Sequence, residues 1–562
     1  MQLSPDRKIA GVLAPLFALR READLGIGDL AALREFIDWA AEIGFHLVQL
    51  LPINEVGGDN SPYNAISAMA VDPTTLDLSV DSIEALTQQD FDRITAAYDL
   101  PELRRGLVKY NRVKALKREL LEAAFAQFAA AADATAFDDF CQRESPWLSE
   151  YTLFRALMER NGERETWDQW QPEHRSFSLA LQWLETLPAS ARAEFETRRK
   201  FFAYVQWIAD LQWRRISEYA AQRGVALMGD IPFGVSYYSA DVFARPGEFE
   251  LDWSGGAPPE PYFKDDEFTM KWGQNWGIPV YNWSQMRADD LAWWRQRTRG
   301  VARFFHVCRI DHVLGFYRIY AFPWRPTSNK EFLPLSWDEM LQRTDGRAPH
   351  FIPRDDESHE NRVANQREGE EYLRVVLEEA REMRVVGEDL GTVPPYVRPS
   401  LQSSGIAGFK IPQWEVHHGR VTPGGEYERL SVATYATHDH KPLRAMWEEA
   451  FERESATRDQ ARDDLHKIAV FAGGEQPNEQ STYATDFYPQ VMNALLASNS
   501  WLAVVMITDL LARKDRFNVP GMANEGNWTR RMHATVAELR KSRTTRERMR
   551  LIRHLLENSG RA

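Results

Sequence analysis

Eight short, almost wholly apolar runs punctuate this chain, each bounded by turn residues and followed by sequence of a different period. They begin at Gly11 (GVLAPLFAL), His46 (HLVQLLPI), Val225 (VALMGDIPFGV), His306 (HVCRIDHV), Arg384 (RVVGEDLG), Ala407 (AGFKIPQWE), Ser431 (SVATYATHD) and Trp501 (WLAVVMITDL). A strand that is apolar on both faces must be covered on both faces, as in parallel sheets flanked by helices. The intervening sequence supplies that cover. In GDLAALREFIDWAAEIG, Leu30, Leu33, Phe36, Ile37, Ala40 and Ala41 form one stripe at helical spacing behind Asp29, a candidate N-cap. Eight such units predict an α/β fold, a (β/α)8 TIM barrel.

The spacing is uneven. A βα unit needs about 30 residues, yet the second run ends near Ile53 and the third begins at Val225. The sequence between has mostly helical period, as in LVKYNRVKALKRELLEAAFAQFAAAADA. This predicts a division into first barrel strands (1–76), a helical insertion (77–198) and the remainder of the barrel (199–562), with a smaller polar, Pro-containing loop insertion near 325–370.

Composition narrows the function. The chain has 562 residues with 68 Lys and Arg against 82 Asp and Glu, a formal net charge of −14. That disfavours a surface that tracks phosphates or binds anionic lipid, so no nucleic-acid or membrane partner is expected. Only Cys141 and Cys308 occur, no signal-peptide pattern precedes the first run, and WLAVVMI is too short to span a bilayer. A cytoplasmic location is the expectation. LGIGDL at Leu25 lacks the third glycine of a dinucleotide fingerprint, and no cofactor is expected. Oligomeric state is not legible.

In such a barrel the chemistry sits at the C-terminal ends of the strands. Four acids lie there: Asp230 in the third run, Asp311 in the fourth, Glu388 in the fifth and Asp439 in the seventh. Side chains alternate along a strand, so Arg309 and Asp311 share one face while Cys308, Ile310 and His312 share the other. An inward Asp311 above Arg309 would be kept anionic and fixed in orientation, as a nucleophile requires. An ion pair filling a polar barrel layer would use the same residues.

A metal site fits less well. Asp311 and His312 face opposite ways, the two histidines flanking Asp439 in HDH would point away from it, and there is no HExxH or cysteine pair. VVGEDLG offers Glu388 and Asp389, of which one faces inward, and parity alone does not choose between them. The inward one, near a second carboxylate and apolar walls, would have a raised pKa and could donate a proton. Two carboxyl groups with opposed pKa values suit cleavage of a glycosidic bond.

These residues carry a resemblance. RIDH (Arg309–His312), GEDLG (Gly387–Gly391) and THD (Thr437–Asp439) resemble the conserved regions of the α-amylase clan. More narrowly, LGIGDL, LLPINEVGGDNSPYNAISAMAVDP, GDIPFGVSYYSADVFA, GAPPE, GQNWGIPVYNW, RFNVPG and NWTRRM resemble the 4-α-glucanotransferases (amylomaltases) of glycoside hydrolase family 77 over nearly the whole chain. The resemblance implies Asp311 as nucleophile, Glu388 as acid/base and Asp439 as transition-state stabiliser. It implies a retaining double displacement on maltooligosaccharides and α-1,4-glucans. Sugar-binding roles are implied for Arg309, His312, His438, Tyr63 of SPY, which would stack on the reacting sugar, and Gln274 and Trp276 of GQNW, on a flexible loop over the glucan; Asp230 would shape the site through hydrogen bonds.

The chain departs from the family pattern at RIDHVLG (for RIDHFRG), THDHK (for THDND) and GAPPE followed by a long PYFKDDEFTMKW. These positions flank the sugar path, so the expectation is that the chemistry survives while chain-length preference and the balance against hydrolysis differ. A hydrolase of the same clan is the sibling reading. A non-enzymatic carbohydrate-binding barrel would be expected to lose one of the three acids or Arg309, and none is lost.

Overall fold

A computed structural model describes residues 3–130, 134–259, 266–520 and 526–562. The eight runs form one closed barrel of parallel strands: β1 (Ile9–Leu13), β2 (Leu47–Gln49), β3 (Ala226–Ile231), β4 (Val307–Ile310), β5 (Arg384–Gly387), β6 (Ala407–Lys410), β7 (Ser431–Ala433) and β8 (Leu502–Met506). Each pairs with its neighbours in sequence, and β1 closes the circle on β8. The strands are shorter than the apolar runs. In GVLAPLFAL the ladder stops at Leu13 and Leu16–Ala18 is a 3-10 turn, because Pro15 has no N–H to give a ladder.

Burial on both faces explains why the runs do not alternate with polar residues. Leu47, Met228, Val307, Val386, Phe409 and Val504 belong to one buried cluster that fills the barrel, while Val48, Leu227, Cys308, Ile310 and Val385 belong to the larger cluster shared with the helices. Helix α1 (Leu30–Ile43) shows how the cover is made. The Asp29 side chain accepts the Ala32 N–H at 2.9 Å, and Gly44 ends the helix at φ 103°. Leu33, Phe36 and Ile37 are fully buried against the barrel, each contributing about 1.5–3 kcal/mol.

Between β2 and β3 stands a helical region with three long helices, α2 (Tyr110–Ala129), α3 (Thr135–Arg160) and α4 (Ala189–Gln222). Residue 198 lies inside the unbroken α4, so barrel and insertion share that element. The insertion braces the loop after β2. Gln206 on α4 exchanges two hydrogen bonds with the Val71 backbone at 2.8 and 2.9 Å. Tyr151 and Arg155 on α3 hold the buried Glu55 at 2.5 and 3.1 Å. Tyr63 lies on the loop so held.

A second sheet was not legible in the sequence. Gln274–Tyr281, Phe249–Ala257, Ile319–Phe322 and His350–Ile352 form four antiparallel strands in that order. The first two follow β3 and the last two follow β4, so the loops of adjacent barrel strands pair above the C-terminal face. The stretch 325–370 thus contains two short helices (Asn329–Phe332 and Trp337–Arg343), a sheet strand and the start of a longer helix, α5 (His359–Ala380), besides its loops.

At the opposite end, Arg561 is completely buried, with no carboxylate paired to it among the described residues. Its guanidinium donates to the carbonyls of Ile9, Leu496, Ser498, Ser500 and Trp501 at 2.6–3.0 Å. Burial pulls its pKa down to about 10. It spans the β1–β8 seam from below. We predict that Arg561→Ala, which orphans these carbonyls, lowers stability by on the order of 3 kcal/mol, read as an earlier midpoint in urea or thermal unfolding. Arg561→Lys should recover only part of the loss, since one ammonium has three donors and no planar fork.

Candidate active site

The four acids converge on the barrel mouth, and Arg309 bonds two of them, Asp230 and Asp311. Asp230, on the same parity as Met228, and Arg309, on that of Val307, both face inward. Arg309 Nη1 donates to both Asp230 oxygens at 2.8 and 2.7 Å, and Nη2 donates to Asp311 Oδ1 at 2.6 Å. The Arg309 and Asp230 side chains are 4% and 0% exposed, whereas that of Asp311 is 29% exposed. Burial works against the charge on Arg309, but Asp230 and Asp311 outweigh it and hold the guanidinium above its ordinary range. Asp311 begins just past β4, and its N–H continues the ladder to the Ile231 carbonyl at 2.9 Å.

Glu388 follows β5 in the same way, its N–H donating to the Ile310 carbonyl at 2.9 Å. It takes the inward parity of Val386. Asp389 turns outward to the Phe409 N–H at 2.6 Å and to Arg398 at 3.0 Å. The two Glu388 oxygens accept backbone N–H groups, Oε2 from His312 at 2.9 Å and Oε1 from Leu390 at 3.0 Å. Burial, reinforced by the Asp311 charge and only partly offset by Arg309, pushes the Glu388 carboxyl up to about 8. It is therefore protonated at neutral pH, beside a carboxylate paired with arginine.

Asp439 departs from the reading by alternation. β7 ends at Ala433, so residues 434–442 carry no strand and Asp439 sits on a loop. Freed from alternation, His438 does not point away: its Nε2 is 3.1 Å from Asp439 Oδ2. Burial opposes ionisation of Asp439, but His438 and the Asn518 amide hold the carboxyl well below its usual range. Asn518 Nδ2 donates to Oδ1 at 2.6 Å, and Arg516 donates to the Asp439 carbonyl at 2.6 Å. These two partners come from RFNVPG, a motif to which sequence reasoning gave no role; Gly521 and the rest of 521–525 lie outside the described residues.

The other expected sugar contacts gather at the same mouth. Tyr63 Oη donates to Asp230 Oδ2 at 2.6 Å, and its ring stacks on His438 with centroids 4.8 Å apart and planes 13° apart. One face of Tyr63 is thus taken by His438. Gln274 and Trp276 lie on a strand of the second sheet rather than on a loop, because Gln274 and Asn275 pair with Ala257 and Gly256. Trp276 is 38% exposed, bonds Gln274 Oε1 at 3.1 Å and meets the His312 ring edge-on at 4.8 Å. His312 itself adopts φ 46°, which lets its N–H turn back to Glu388. Sequence reasoning also missed Trp414, 49% exposed at the rim, which contacts the His440 ring at 4.7 Å.

The family departures have local partners. In THDHK, His440 Nδ1 accepts the Thr437 N–H at 2.9 Å and Lys441 pairs with Glu449 at 2.5 Å. In RIDHVLG, the Val313 N–H donates to the Glu388 carbonyl at 3.0 Å. Glu260 of GAPPE and residues 261–265 lie outside the described residues. Among the described residues, no group of three His, Cys, Asp or Glu is arranged to hold a metal ion, and no helix is long and apolar enough to cross a membrane.

Comparison with known proteins gives a consistent picture. The family profile Glyco_hydro_77, described as 4-alpha-glucanotransferase, matches residues 14–537. The 4-alpha-glucanotransferase of Chlamydia pneumoniae is 30% identical over 549 residues, covering 94% of this chain and 92% of its own. That of Chlamydia caviae is 28% identical over 548 residues, covering 94% and 91%. Among solved structures, the amylomaltase from Streptococcus agalactiae in complex with acarbose is similar in fold, with a TM-score of 0.75 at 22% identity over 99% of this chain and 100% of that one.

The electrostatics can be tested directly. Carboxyl carbon NMR is expected to show Glu388 titrating near pH 8. In Asp311→Asn the neighbouring negative charge is gone and Arg309 is left with one partner fewer. Both changes favour the Glu388 anion, so its midpoint should move to lower pH; an unchanged or higher midpoint would contradict the assigned cause.

Proposed function

The chain belongs to the 4-alpha-glucanotransferases of glycoside hydrolase family 77, and from that premise we propose that Asp311 is its nucleophile, Glu388 its acid/base and Asp439 its transition-state stabiliser. The enzyme transfers segments of α-glucan. The observation that carries the assignment is the contrast between two neighbouring carboxyl groups, Glu388 protonated to about pH 8 and Asp311 paired with Arg309.

The steps follow from that contrast. Asp311 Oδ1 is held by Arg309, leaving Oδ2 to attack the anomeric carbon. As that bond forms, the bond from C1 to the glycosidic oxygen breaks, and the Glu388 proton passes to the departing oxygen. The result is a glycosyl ester on Asp311 and a carboxylate at Glu388. An acceptor sugar then gives the proton of its 4-hydroxyl to Glu388 while its oxygen attacks C1, and the ester bond breaks to restore Asp311. Two inversions retain the α configuration.

Asp439, oriented by His438 and Asn518, would take hydroxyls of the sugar undergoing transfer, contacts that matter to the extent that they tighten in the transition state. Tyr63, His312, Gln274 and Trp276 would line the glucan path, and Asp230 would hold Arg309 from beneath. Maltooligosaccharides and α-1,4-glucans are the proposed substrates. A cytoplasmic location is proposed from the two cysteines, which are free.

Incubation with maltotriose is expected to give glucose and a ladder of longer glucans; reducing ends without any product longer than the substrate would instead make it a hydrolase. Asp311→Ala should lose turnover by roughly 10⁴-fold or more while remaining folded. Glu388→Gln should be far more impaired with maltotriose than with α-glucosyl fluoride, whose leaving group needs no proton. The first displacement needs Glu388 protonated, so kcat/KM should decline as pH rises through about 8; a flat profile to pH 9 would refute Glu388 as the acid.

A further inference from the structure

Trp528, in the NWTRRM motif, has no part in the mechanism above. Its backbone has φ 60°, a left-handed conformation that bulky residues seldom adopt. Three groups of this residue are engaged at once. Its N–H donates to the Phe517 carbonyl at 2.8 Å. Its carbonyl accepts the hydroxyl of Tyr110, at the start of α2, at 2.8 Å. Its indole lies 5.8 Å from the Tyr63 ring and 5.8 Å from the His438 ring, tilted by 45° and 43°.

These contacts reach both sides of the site. Phe517 precedes Asn518, whose amide holds Asp439. The neighbouring Asn527 braces the same segment, accepting the Val519 N–H at 3.0 Å and donating to the Val519 carbonyl at 3.2 Å. Tyr63 and His438 are the stacked pair whose outer atoms reach Asp230 and Asp439. A residue present only to make the turn would be Gly or Asn, which enter this conformation easily. A tryptophan here, 8% exposed, indicates that the ring is needed.

We propose that Trp528 is a positioning residue. It sets the Asn518 contact to Asp439 through its backbone, backs the Tyr63–His438 pair with its ring, and is itself latched by Tyr110 of the helical insertion. The inference rests on the proposed roles of Tyr63, His438 and Asp439. Those contacts act in the transition state, so loosening them should lower kcat more than it raises KM.

The test is steady-state disproportionation of maltotriose by the full chain. Trp528→Ala, Trp528→Phe, Tyr110→Phe and Tyr63→Phe are compared with wild type, each checked for folding by circular dichroism and thermal melting. For Trp528→Ala we expect kcat to fall by about tenfold or more with KM within about threefold. Trp528→Phe should recover a large part of that loss, and Tyr110→Phe, which removes only the latch, should lower kcat by a smaller factor. If Trp528→Ala does not fold, the other two variants decide. Wild-type kcat in folded Trp528 variants and in Tyr110→Phe, with Tyr63→Phe impaired, overturns this inference alone; wild-type kcat in Tyr63→Phe overturns the reading on which it rests.

Discussion

The Arg309 guanidinium, 4% exposed, pairs with Asp230 and Asp311 at once, and the site is built outward from that interaction. Taking a charged group out of water costs several kcal/mol, recovered only when partners and geometry are good. Here the fork of one arginine gives two hydrogen bonds to the buried Asp230 and one to Asp311, a division that the single ammonium of a lysine cannot reproduce. Asp230 is further satisfied by Tyr63, so the anchor at the base is saturated. Glu388 is left to balance its own burial, and it does so by keeping a proton. Glu388 and Asp311, the proposed acid and nucleophile, differ in that Arg309 bonds Asp311 directly and does not bond Glu388.

Much of this was legible in the sequence because barrels translate residue order into spatial order. An apolar run that needs cover on both sides announces a parallel strand, and eight of them leave few topologies. Parity then placed Arg309 and Asp311 on one face, since both lie on or just beyond a real strand. The same rule could not choose between Glu388 and Asp389 without knowing which neighbours face inward, and it misplaced His438, where the chain has left the ladder after Ala433. Alternation is informative only while a residue's backbone still continues a ladder, as Asp311 and Glu388 do through their N–H groups.

The four-stranded sheet above the barrel went unread for a related reason. Its strands belong to loops of different barrel units, and sequences such as DWSGGAPP lack the β-branched alternation that marks a strand. What makes them strands is pairing with segments far away in sequence, information that no local window holds. Asn518 and Trp528 were missed similarly: each acts by a contact to a residue on another part of the chain. That sheet would also give the proposed glucan path a wall, since Trp276 stands on an element with paired neighbours rather than on a free loop.

The burial of Arg561 has a consequence for how the molecule comes into being. Its guanidinium bonds the carbonyl of Ile9, 552 positions earlier, across the seam where the first and last barrel strands meet. A ribosome adding about 5–20 residues per second takes roughly half a minute to two minutes to make such a chain. For that interval the nascent edge of β1 waits without its final neighbour. An exposed strand edge in a crowded cell invites pairing with other chains, so chaperone engagement during synthesis would be most valuable along that edge.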